Sequence, residues 1–432
     1  MTAGTPTEAA GAGAAAVTAA DVDEAAQRLV GVVAPPPLER NARLSALVGG
    51  EVWLKREDLQ VVRSYKMRGA YNLIAQEQDR ARRTGVVCAS AGNHAQGVAW
   101  ACRTLGLPAR IYVPGTTPRQ KRDRIRSLGD AFVTITGIGE TYDDAAAEAA
   151  ADARRSGAVL VPAFDDPRTV AGQGTVAREI VAQARAQLGR VPDNVVVPVG
   201  GGGLLAGMAT WFAASAPDVR TVGVEPAGAA CMTAALAAGA PVRLETLDPF
   251  VDGAAVRLAG RVTFPLVRDH AGSVLTVDEG RVCSEMLRLY QQDGIIAEPA
   301  GALAPAVLGD QLRPGPGELT VCVLSGGNND VSRYNEVVER SLVFEGLKHY
   351  FLVEFPQEPG ALRRFLSEVL GPDDDITLFE YVKRNNREFG PALVGLELSR
   401  AEDLTGLLQR MAASPLTCRR LEPDDPAFRF LI

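Results

Sequence analysis

Runs of apolar and β-branched residues alternate with amphipathic stretches along most of the chain. The apolar runs begin at Val86, Ala109, Ala131, Ala158, Asn194, Arg220, Ser273 and Leu319. Each run has the length and composition of a strand. Between them, stretches such as Asp143 to Arg155, Val170 to Leu188 and Glu279 to Gln291 read as helices. Alternating strands and helices imply right-handed βαβ crossovers, so the pattern predicts an α/β fold with a mostly parallel sheet covered on both faces.

The pattern changes after Arg340. The stretch LKHYFLVEFPQEPGALRRFLSEVL reads as a strand, a turn at Pro359-Gly360 and a helix. ITLFEYVKRNN and PALVGLELS then read as two strands joined by a charged loop, and AEDLTGLLQRMAAS as a further helix. A βαββα unit of about ninety residues is small enough to be a separate regulatory or association module. The predicted bounds are therefore 26–340 for the main domain and 341–432 for this module.

The N-terminus and one long uncharged run bear on membranes and export. Residues 1–25 are rich in alanine, glycine and threonine and lack the basic and apolar regions of a signal peptide, which predicts a disordered leader. The uncharged run Val195 to Pro217 contains Pro198 and five glycines, four of them consecutive. A strand, a glycine turn and a buried helix explain that run better than a membrane span, so no membrane association is expected.

Composition narrows the classes of partner. The chain has 432 residues, 47% of them hydrophobic, and its net charge of -7 is spread without a basic stripe for phosphate backbones. Nucleic acid is therefore not an expected partner. The six cysteines lie mostly inside apolar runs, with no CxxC pair. Buried free thiols of a reducing cytosol are the simplest interpretation, which predicts a cytoplasmic protein.

Lys66 is the first candidate for chemistry, in the stretch SYKMRGA. Only five of the 45 basic residues are lysines, and a lysine, unlike an arginine, can become a neutral amine nucleophile. Tyr71, Leu73 and Ile74 predict a helix that begins near Lys66. A solvated lysine at a helix end is the alternative, which this stretch alone does not exclude.

A second candidate is ASAGNHAQGVA, which directly follows the predicted strand at Val86 and begins an apolar helix. Such a turn exposes backbone N–H groups and a helix N-terminus, which suits a carboxylate or another anion. An ordinary βα turn with Asn93 near the cap is the alternative. His94 has no acidic partner in sequence, so a structural histidine is favoured over a base.

The third candidate is PVGGGGLLAGMA, with glycine at all positions from 200 to 203. Each glycine costs roughly 0.5 to 1 kcal/mol relative to alanine in regular structure, so bare backbone must be needed there. Successive N–H groups and the dipole of a helix starting near Leu204 favour phosphate. The stretch lacks the Gly-Lys-Ser/Thr of a Walker loop and is not a dinucleotide fingerprint, which leaves a compact phosphate monoester.

The fourth candidate is Ser325, in VCVLSGGNND at the end of the last predicted strand of the main domain. Ligands of open α/β sheets lie beyond the carboxyl ends of the strands, so Ser325 is expected at the same crevice, unless it is merely a turn former. An amine, an anion loop, a phosphate cup without a Mg²⁺ ligand and a polar strand end together meet the needs of pyridoxal 5′-phosphate.

The motifs SYKMRGAYN, SAGNHAQGVA, VGGGGL and SGGN resemble those of the fold type II pyridoxal-phosphate enzymes, and specifically the biosynthetic threonine dehydratase (threonine ammonia-lyase) family. They span about Leu38 to Asn335, and the C-terminal stretch resembles the family's ACT-like domain, present once as in the short form. The resemblance implies two open twisted α/β lobes, the smaller over roughly 70–165, followed by an α+β ACT-like regulatory domain.

The resemblance also implies roles for individual residues. Lys66 would hold the cofactor through its amine and then move protons, and Asn93 would bond the ring oxygen O3′. Gly200, Gly201, Gly202, Gly203 and Leu204 would hold the phosphate, and Ser325 would face the ring nitrogen. Ser90, Ala91, Gly92 and His94 would frame the pocket for the substrate carboxylate.

The implied reaction is the α,β-elimination of L-threonine to 2-oxobutanoate and ammonia, the first step of isoleucine biosynthesis. A neutral hydroxyl at Ser325 would leave the ring a weaker electron sink, which favours elimination over transamination. An L-serine or broad hydroxy-amino-acid ammonia-lyase is the alternative within enzymes. A non-catalytic amino-acid-binding regulator is the alternative of another class.

Two departures from serine racemase-like members separate this chain from them. Those members carry a second serine where this chain has Ala91, which argues against racemisation. Their divalent-metal site uses a glutamate before a proline and an aspartate six residues on; here Glu225-Pro226 is present but Cys231 replaces the aspartate. No metal site is therefore expected.

The resemblance to an ACT-like domain implies control by an amino acid effector, and isoleucine, the end product of the pathway, is the expected one. Because a single copy would need a partner subunit to complete an effector site, a homodimer or homotetramer is expected.

Overall fold

The computed structural model describes residues 17–381, 388–422 and 425–431. The chain divides into two compact units. The first unit comprises Met1–Val277 and Ala297–Asn328, and the second comprises Asp278–Ile296 and Asn329–Ile432. The chain therefore leaves the first unit, returns to it and leaves it again.

The strands are β1 Leu38–Arg40, β2 Glu51–Arg56, β3 Val86–Ala89, β4 Ala109–Val113, β5 Val133–Gly137, β6 Val159–Leu160, β7 Asn194–Pro198, β8 Arg220–Pro226, β9 Ser273–Val277, β10 Leu319–Leu324, β11 Lys348–Pro356, β12 Asp375–Tyr381, β13 Phe389–Glu397 and β14 Thr417–Leu421. The helices are α1 Ala19–Leu29, α2 Ala42–Val48, α3 Met67–Gln76, α4 Gln78–Thr84, α5 Asn93–Leu105, α6 Arg119–Gly129, α7 Tyr142–Ser156, α8 Pro167–Leu188, α9 Gly203–Ser215, α10 Cys231–Ala238, α11 Thr263–His270, α12 Glu279–Gln291, α13 Pro299–Ala306, α14 Tyr334–Phe344, α15 Ala361–Arg364 and α16 Asp403–Ala413. A π-helical turn, Phe365–Val369, continues α15.

The described part of the first unit contains two sheets, as expected for two α/β lobes. The larger has the order β1-β2-β10-β7-β8-β9 and the smaller has the order β5-β4-β3-β6. All neighbours are parallel except β1 and β2, which are antiparallel. Because helices cover both faces of the larger sheet, β7 and β10 are buried along their whole length.

The strands β1 and β2 were not predicted. Strand β2, EVWLKR, begins with Glu51 and ends with Lys55 and Arg56, so its apolar run is only three residues long and shorter than those that marked the other strands. Its Lys55 is nevertheless buried, because it pairs with a carboxylate from α8. Tertiary pairing thus overrides the local pattern.

Helix α1 differs from the leader predicted over 1–25, of which residues 1–16 lie outside the described residues. Ala19 begins this helix, with Thr18 and Asp21 forming a capping box. Val22 and Ala25 face the core of the first unit and are fully buried. Alanine is the strongest helix former, so a stretch that looked featureless folds once it has a surface to pack on.

The uncharged run from Val195 to Pro217 forms β7, the glycine turn and α9, as predicted. The apolar side chains of α9 pack into the core of the first unit. Across the ranges that the structure describes, no helix combines the length and hydropathy of a membrane span.

The second unit has a four-stranded antiparallel sheet with the order β12-β13-β11-β14. Phe351, Phe365, Val394 and Leu407 are among its fully buried residues.

The prediction for the second unit was incomplete. Strand β14 was missed because its sequence, TCRRL, is mostly polar. Most of the predicted charged loop before β13 lies outside the described residues. Helix α12, predicted as part of the main domain, belongs to the second unit by contacts.

Candidate active site

Lys66 lies at the N-terminal end of α3, as the sequence predicted. The segment before it runs along the end of β10: the backbone N–H of Tyr65 donates to the carbonyl of Ser325 at 3.2 Å, and that of Gly327 donates to Arg63 at 2.9 Å. This pairing brings Lys66 next to the strand end that carries Ser325, although the two are far apart in sequence.

The Lys66 amine is half-buried and weakly held. Its Nζ lies 3.4 Å from the carbonyl oxygen of Ala163 and 5.2 Å from the ring centroid of Tyr65. A distance of 3.4 Å is long for a hydrogen bond of this kind. Helix α5 crosses close behind: a Cβ added to Gly97 would lie 3.1 Å from the carbonyl carbon of Lys66. Neighbouring groups therefore confine the backbone of Lys66, while N–H groups of its amine remain available to a ligand.

A buried ion network, not foreseen from sequence, joins α3 to neighbouring elements. Arg68 bonds Glu57 at 2.8 Å and Glu179 at 2.6 Å, and Lys55 bonds Glu179 at 2.8 Å. Arg68, Glu57 and Lys55 are all fully buried. Because the network joins β2, α3 and α8, it holds the helix that begins with Lys66 in one position.

The turn from Ser90 to Gly92 lies between β3 and α5, and Asn93 and His94 are the first two residues of α5. The Gly92 N–H donates to the Ser90 hydroxyl at 3.2 Å. His94 is buried, with Nε2 2.7 Å from the carbonyl of Val161 and Nδ1 without a partner among the described residues. Burial, aided by the charge of Lys66, lowers the pKa of His94 to about 4. The imidazole is therefore neutral at pH 7 and offers Nδ1 as an acceptor.

The glycine turn follows β7 and begins α9. The carbonyls of Gly200 and Gly201 are already bonded, to Cys231 Sγ at 3.5 Å and Thr263 Oγ1 at 2.6 Å. In the described chain, no backbone N–H from Gly200 to Leu204 donates to a protein acceptor. These free donors and the helix dipole suit a phosphate group, so the residues present fit the cofactor that the sequence implied.

Close packing is a second reason for the glycines. A Cβ added to Gly201 would lie 2.5 Å from Cγ of Phe164, and one added to Gly202 would lie 2.5 Å from Cε of Met232. Gly202 also has a φ of 92°, which favours glycine. Since Phe164 follows Ala163, whose carbonyl contacts Lys66, this packing sets the turn close to the lysine.

Ser325 is buried at the end of β10, and its hydroxyl donates to the carbonyl of Ala300 at 3.2 Å. A serine hydroxyl rotates freely enough to choose another partner. Both groups of this hydrogen-bonded pair are uncharged. Facing a ring nitrogen remains a prediction for Ser325.

Two residues that the sequence reasoning did not assign hold Asn93. Asn93 donates through Nδ2 to Oε1 of Glu298 at 2.6 Å, and its Oδ1 accepts from Asn328 Nδ2 at 2.7 Å. The Asn328 N–H donates to the other carboxyl oxygen of Glu298 at 3.2 Å. Burial, aided by the charge of Asp252, raises the pKa of Glu298 to about 7. Asn328 stands in the SGGNND stretch, so its motif was visible; Glu298 carried no comparable signal.

Glu225 and Cys231 have other partners than a metal. The Glu225 carboxylate accepts from the N–H groups of Met232 and Thr233 at 2.7 and 2.8 Å and from the Thr233 hydroxyl at 2.7 Å. It thereby caps the start of α10. The expectation that this chain has no metal site remains a prediction.

The structure thus brings the four motifs together within the first unit. Lys66 adjoins Ser325, Asn93 adjoins the residues that follow Ser325, and the glycine turn packs on the residue after Ala163. The half-buried Ser90, Ala91 and Gly92 lie on the turn that leads to Asn93. A reactive amine, an oriented amide and a cup of N–H donors is an arrangement for amine chemistry on a phosphorylated cofactor.

Comparisons with known families agree with this arrangement. Residues 29–326 match the pyridoxal-phosphate dependent enzyme family. Residues 339–431 match the C-terminal regulatory domain of threonine dehydratase.

Relatives along the full chain point the same way. The chain is similar to the biosynthetic L-threonine dehydratase IlvA of Mycobacterium tuberculosis, with 60% identity over 96% of each chain. It is 47% identical to that of Bacillus subtilis, over 95% of this chain and 96% of the relative. Among solved structures, threonine deaminase isoform 2 of Solanum lycopersicum matches with a TM-score of 0.67 and 37% identity, covering 74% of this chain and 89% of that one. This protein therefore belongs to the threonine dehydratase family of pyridoxal-phosphate dependent enzymes.

Proposed function

We propose that this protein catalyses the pyridoxal-phosphate dependent elimination of L-threonine to 2-oxobutanoate and ammonia, as the first step of isoleucine biosynthesis. The observation that supports it most is the convergence of the Lys66 amine, the Asn93 amide and the free N–H groups of Gly200 to Leu204. The relatives that carry the name threonine dehydratase set the substrate class.

The chain's own residues would divide the work as follows. When bound, pyridoxal phosphate supplies an aldehyde that condenses with amines and a ring that withdraws electrons from the adjacent carbon. Lys66 Nζ would hold the cofactor and then, displaced by substrate, move the proton at the substrate Cα. Gly200 to Leu204 would bind the phosphate, and Asn93 Nδ2 would donate to the ring oxygen.

Substrate binding and reaction choice would depend on neutral groups. The turn of Ser90, Ala91 and Gly92, together with His94, would receive the substrate carboxylate. Because the pKa of His94 is low, its imidazole is neutral at pH 7, and Lys66 would carry the proton instead. The uncharged Ser325 would not hold a ring proton as a carboxylate would, so loss of the β-hydroxyl competes well with transamination.

The test compares kcat/KM for the two candidate substrates and looks for the colour of the bound cofactor. The ratio of kcat/KM for L-threonine and L-serine should favour threonine by roughly 10 to 200-fold, because one methyl group in a pocket contributes about 1 to 3 kcal/mol. A ratio below one would assign the protein to serine instead. A colourless wild-type protein with no turnover of either substrate would indicate a binding regulator and overturn the proposal.

Isoleucine is the proposed effector, and a cavity of about 440 Å³ in the second unit is its proposed site. Phe355, Phe379, Tyr381 and Leu366 supply apolar lining, and Arg363 supplies a cation for a carboxylate. A branched aliphatic amino acid matches that combination of surfaces.

Isothermal titration of the holoenzyme with isoleucine tests this site. Leu366→Glu should abolish binding, because it places a charge in the apolar lining. Leu408→Glu is a matched control, since Leu408 is a similarly exposed leucine on α16 that does not line the cavity. Equal binding by both variants would remove the cavity as the effector site.

We also propose a cytoplasmic location, a homodimeric or homotetrameric assembly, and functional domains that follow the sequence: catalytic over 26–340 and regulatory over 341–432. Sedimentation of the holoenzyme measures the assembly, and a monomer at micromolar concentration would contradict it.

A further inference from the structure

Two of the three points where the chain passes between the units lie beside the residues that bond Asn93. The chain re-enters the first unit at Ala297, immediately before Glu298, and leaves it again after Asn328. Glu298 and Asn328 are also the two residues that bond the Asn93 side chain. Two of the passages between the units therefore end at one hydrogen-bonded cluster.

The cluster sets the orientation of the Asn93 amide. Its nitrogen faces the Glu298 carboxyl and its oxygen faces the Asn328 amide, so a flipped amide would put donor against donor at Asn328 and acceptor against carboxylate at Glu298. The Asn328 Nδ2 is itself fixed by the carbonyl of Val62 at 2.8 Å. One hydrogen of Asn93 Nδ2 remains for a ligand.

The Glu298 carboxyl is sensitive to its surroundings because it is 4% exposed and flanked by charges. Asp252 raises the pKa of Glu298, and Lys121, which bonds Asp252 at 2.8 Å, lowers it. A buried carboxyl with short bonds to Asn93 and Asn328 loses those bonds on small displacements. Glu298 and Asn328 therefore hold Asn93 only while the chain at these two points keeps its position.

On the other side of these passages, α12 is built into the second unit. The Ser284 and Ser341 hydroxyls lie 2.9 Å apart, Arg288 bonds Glu345 at 2.9 Å, and the rings of Tyr290 and Tyr334 lie 5.8 Å apart. Those contacts join α12 to α14 and the turn that follows it.

Helix α14 is in turn joined to the regulatory sheet. Glu339 pairs with Lys348 and accepts a hydrogen bond from the Tyr350 hydroxyl at 2.7 Å. Both partners lie on β11, the strand that also carries Phe355 of the proposed effector cavity. A continuous set of contacts therefore runs from the cavity strand through α14 to α12, whose chain continues to Glu298.

We infer that Glu298 and Asn328 are positioning residues that orient Asn93 towards the cofactor, and that the second unit acts on the site through them. The inference rests on the proposed function for the identity of the cofactor and the effector. An effector that shifts β11 and α14 would move α12, and thereby the chain at Glu298, and would change how firmly Asn93 is held.

The first test is Glu298→Gln, assayed on the holoenzyme and on apoprotein titrated with pyridoxal phosphate. A glutamine can accept from only one of Asn93 and Asn328 and presents a donor to the other. We expect the dissociation constant for the cofactor to rise about tenfold and the pH dependence of the bound cofactor's absorption to flatten around neutrality. Asp152→Asn is the control, because Asp152 is another buried carboxylate of the first unit, bonded to Arg110 and Tyr112.

The second test measures coupling. Isoleucine should still bind Glu298→Gln by isothermal titration, while its effect on the KM for threonine should shrink at least fivefold. Asn328→Ala should also raise the dissociation constant for the cofactor and reduce the isoleucine effect. It replaces Glu298→Gln as the test variant if that protein fails to fold. Ser284→Ala should leave the cofactor affinity unchanged and reduce only the isoleucine effect.

The outcomes separate this inference from the proposed function. Wild-type cofactor affinity, absorption and isoleucine response in both Glu298→Gln and Asn328→Ala would overturn it. If the wild-type protein binds no isoleucine, the effector proposal and the coupling fall together, and the cofactor titration still decides whether Glu298 positions Asn93.

Discussion

Two lysines of the first unit, Lys55 and Lys66, lie in opposite environments. Lys55 is fully buried and makes three hydrogen bonds of 2.8 Å, to the carbonyl of Pro36 and the side chains of Glu179 and Gln183. Lys66 is half-buried and makes one long bond of 3.4 Å. A lysine whose three N–H donors all have hydrogen-bond partners acts as a structural cation. A lysine with one long hydrogen bond keeps its amine available for chemistry.

The neighbours of the two lysines differ in charge. Lys55 faces carboxylates that balance its charge, so burial is tolerated. Lys66 lies near the carbonyl of Ala163 and the ring of Tyr65, and among the described residues no carboxylate makes a salt bridge with its amine. The comparison predicts that the two lysines respond oppositely to substitution: activity depends on one and stability on the other.

The largest expected effect is on activity at Lys66. Lys66→Ala should reduce kcat by at least roughly a thousandfold, about 4 kcal/mol of barrier, and lose the yellow colour of the holoenzyme, since no amine remains to hold the cofactor. Lys66→Arg should behave the same way, because a guanidinium is not an amine nucleophile. Steady-state kinetics and absorption measure it, and an active, yellow Lys66→Ala protein would remove Lys66 from the mechanism.

The next effect is on stability at Lys55. Lys55→Met should lower the free energy of unfolding by about 3 kcal/mol, because Glu179 loses a buried partner, while kcat of the folded holoenzyme should fall far less than in Lys66→Ala, since Arg68 still joins α3 to Glu57 and Glu179. Denaturant unfolding measures the loss. Arg243→Met, at an ion pair with Asp143 in which both side chains are exposed, should cost less and is the control. A loss of activity without a loss of stability would reverse the comparison.

Cofactor affinity should depend on the packing that sets the glycine turn beside Lys66. Gly201→Ala should raise the dissociation constant for pyridoxal phosphate about tenfold or more, because its Cβ collides with the ring of Phe164. Phe164→Leu in the same protein should recover part of the affinity. Gly50→Ala is the control, since its Cβ would meet only ordinary contacts at 3.5 Å. Unchanged affinity in Gly201→Ala would contradict the crowding argument.

The smallest expected effect concerns His94 and pH. Its folded pKa of about 4 lies below the ordinary 6.5, so the stability contributed by the neutral imidazole is present above pH 6.5 and lost as pH falls towards 4. The difference in unfolding free energy between wild type and His94→Gln should therefore change by about 3 kcal/mol at most across that window, as measured by denaturant unfolding at each pH.

The charge of Lys66 is a lesser cause of that low pKa than burial is. Lys66→Met should raise the His94 pKa by less than about one unit, as followed by NMR titration. A rise to the ordinary value would mean that the lysine charge, not burial, dominates.

Local features of the sequence identified most of the candidate site. Lys66, the Ser90 to His94 turn, Gly200 to Leu204 and Ser325 each stand in a short motif at a strand end or helix start. Turn chemistry and glycine runs are local, so they are visible without a fold. The alternation of strand and helix predicted the parallel α/β architecture for the same reason.

Contacts between residues far apart in the sequence could not be predicted from it. Glu298 lies 205 residues from Asn93, and the network of Lys55, Arg68 and Glu179 joins three elements. Strand β14 and the burial of Lys55 in β2 depend on pairing with distant segments of the chain, and α12 belongs to the second unit through contacts such as those with α14.

By itself, the sequence predicted most of the strands and helices in their order, and it contained the four motifs from which a lysine amine beside a phosphate-binding turn was proposed. The tertiary structure decided which amine is free, which carboxyl holds Asn93 and where the chain passes between the units. The reason is physical: backbone turns and periodicity act over a few residues, whereas burial and charge pairing depend on which distant segments the fold brings together.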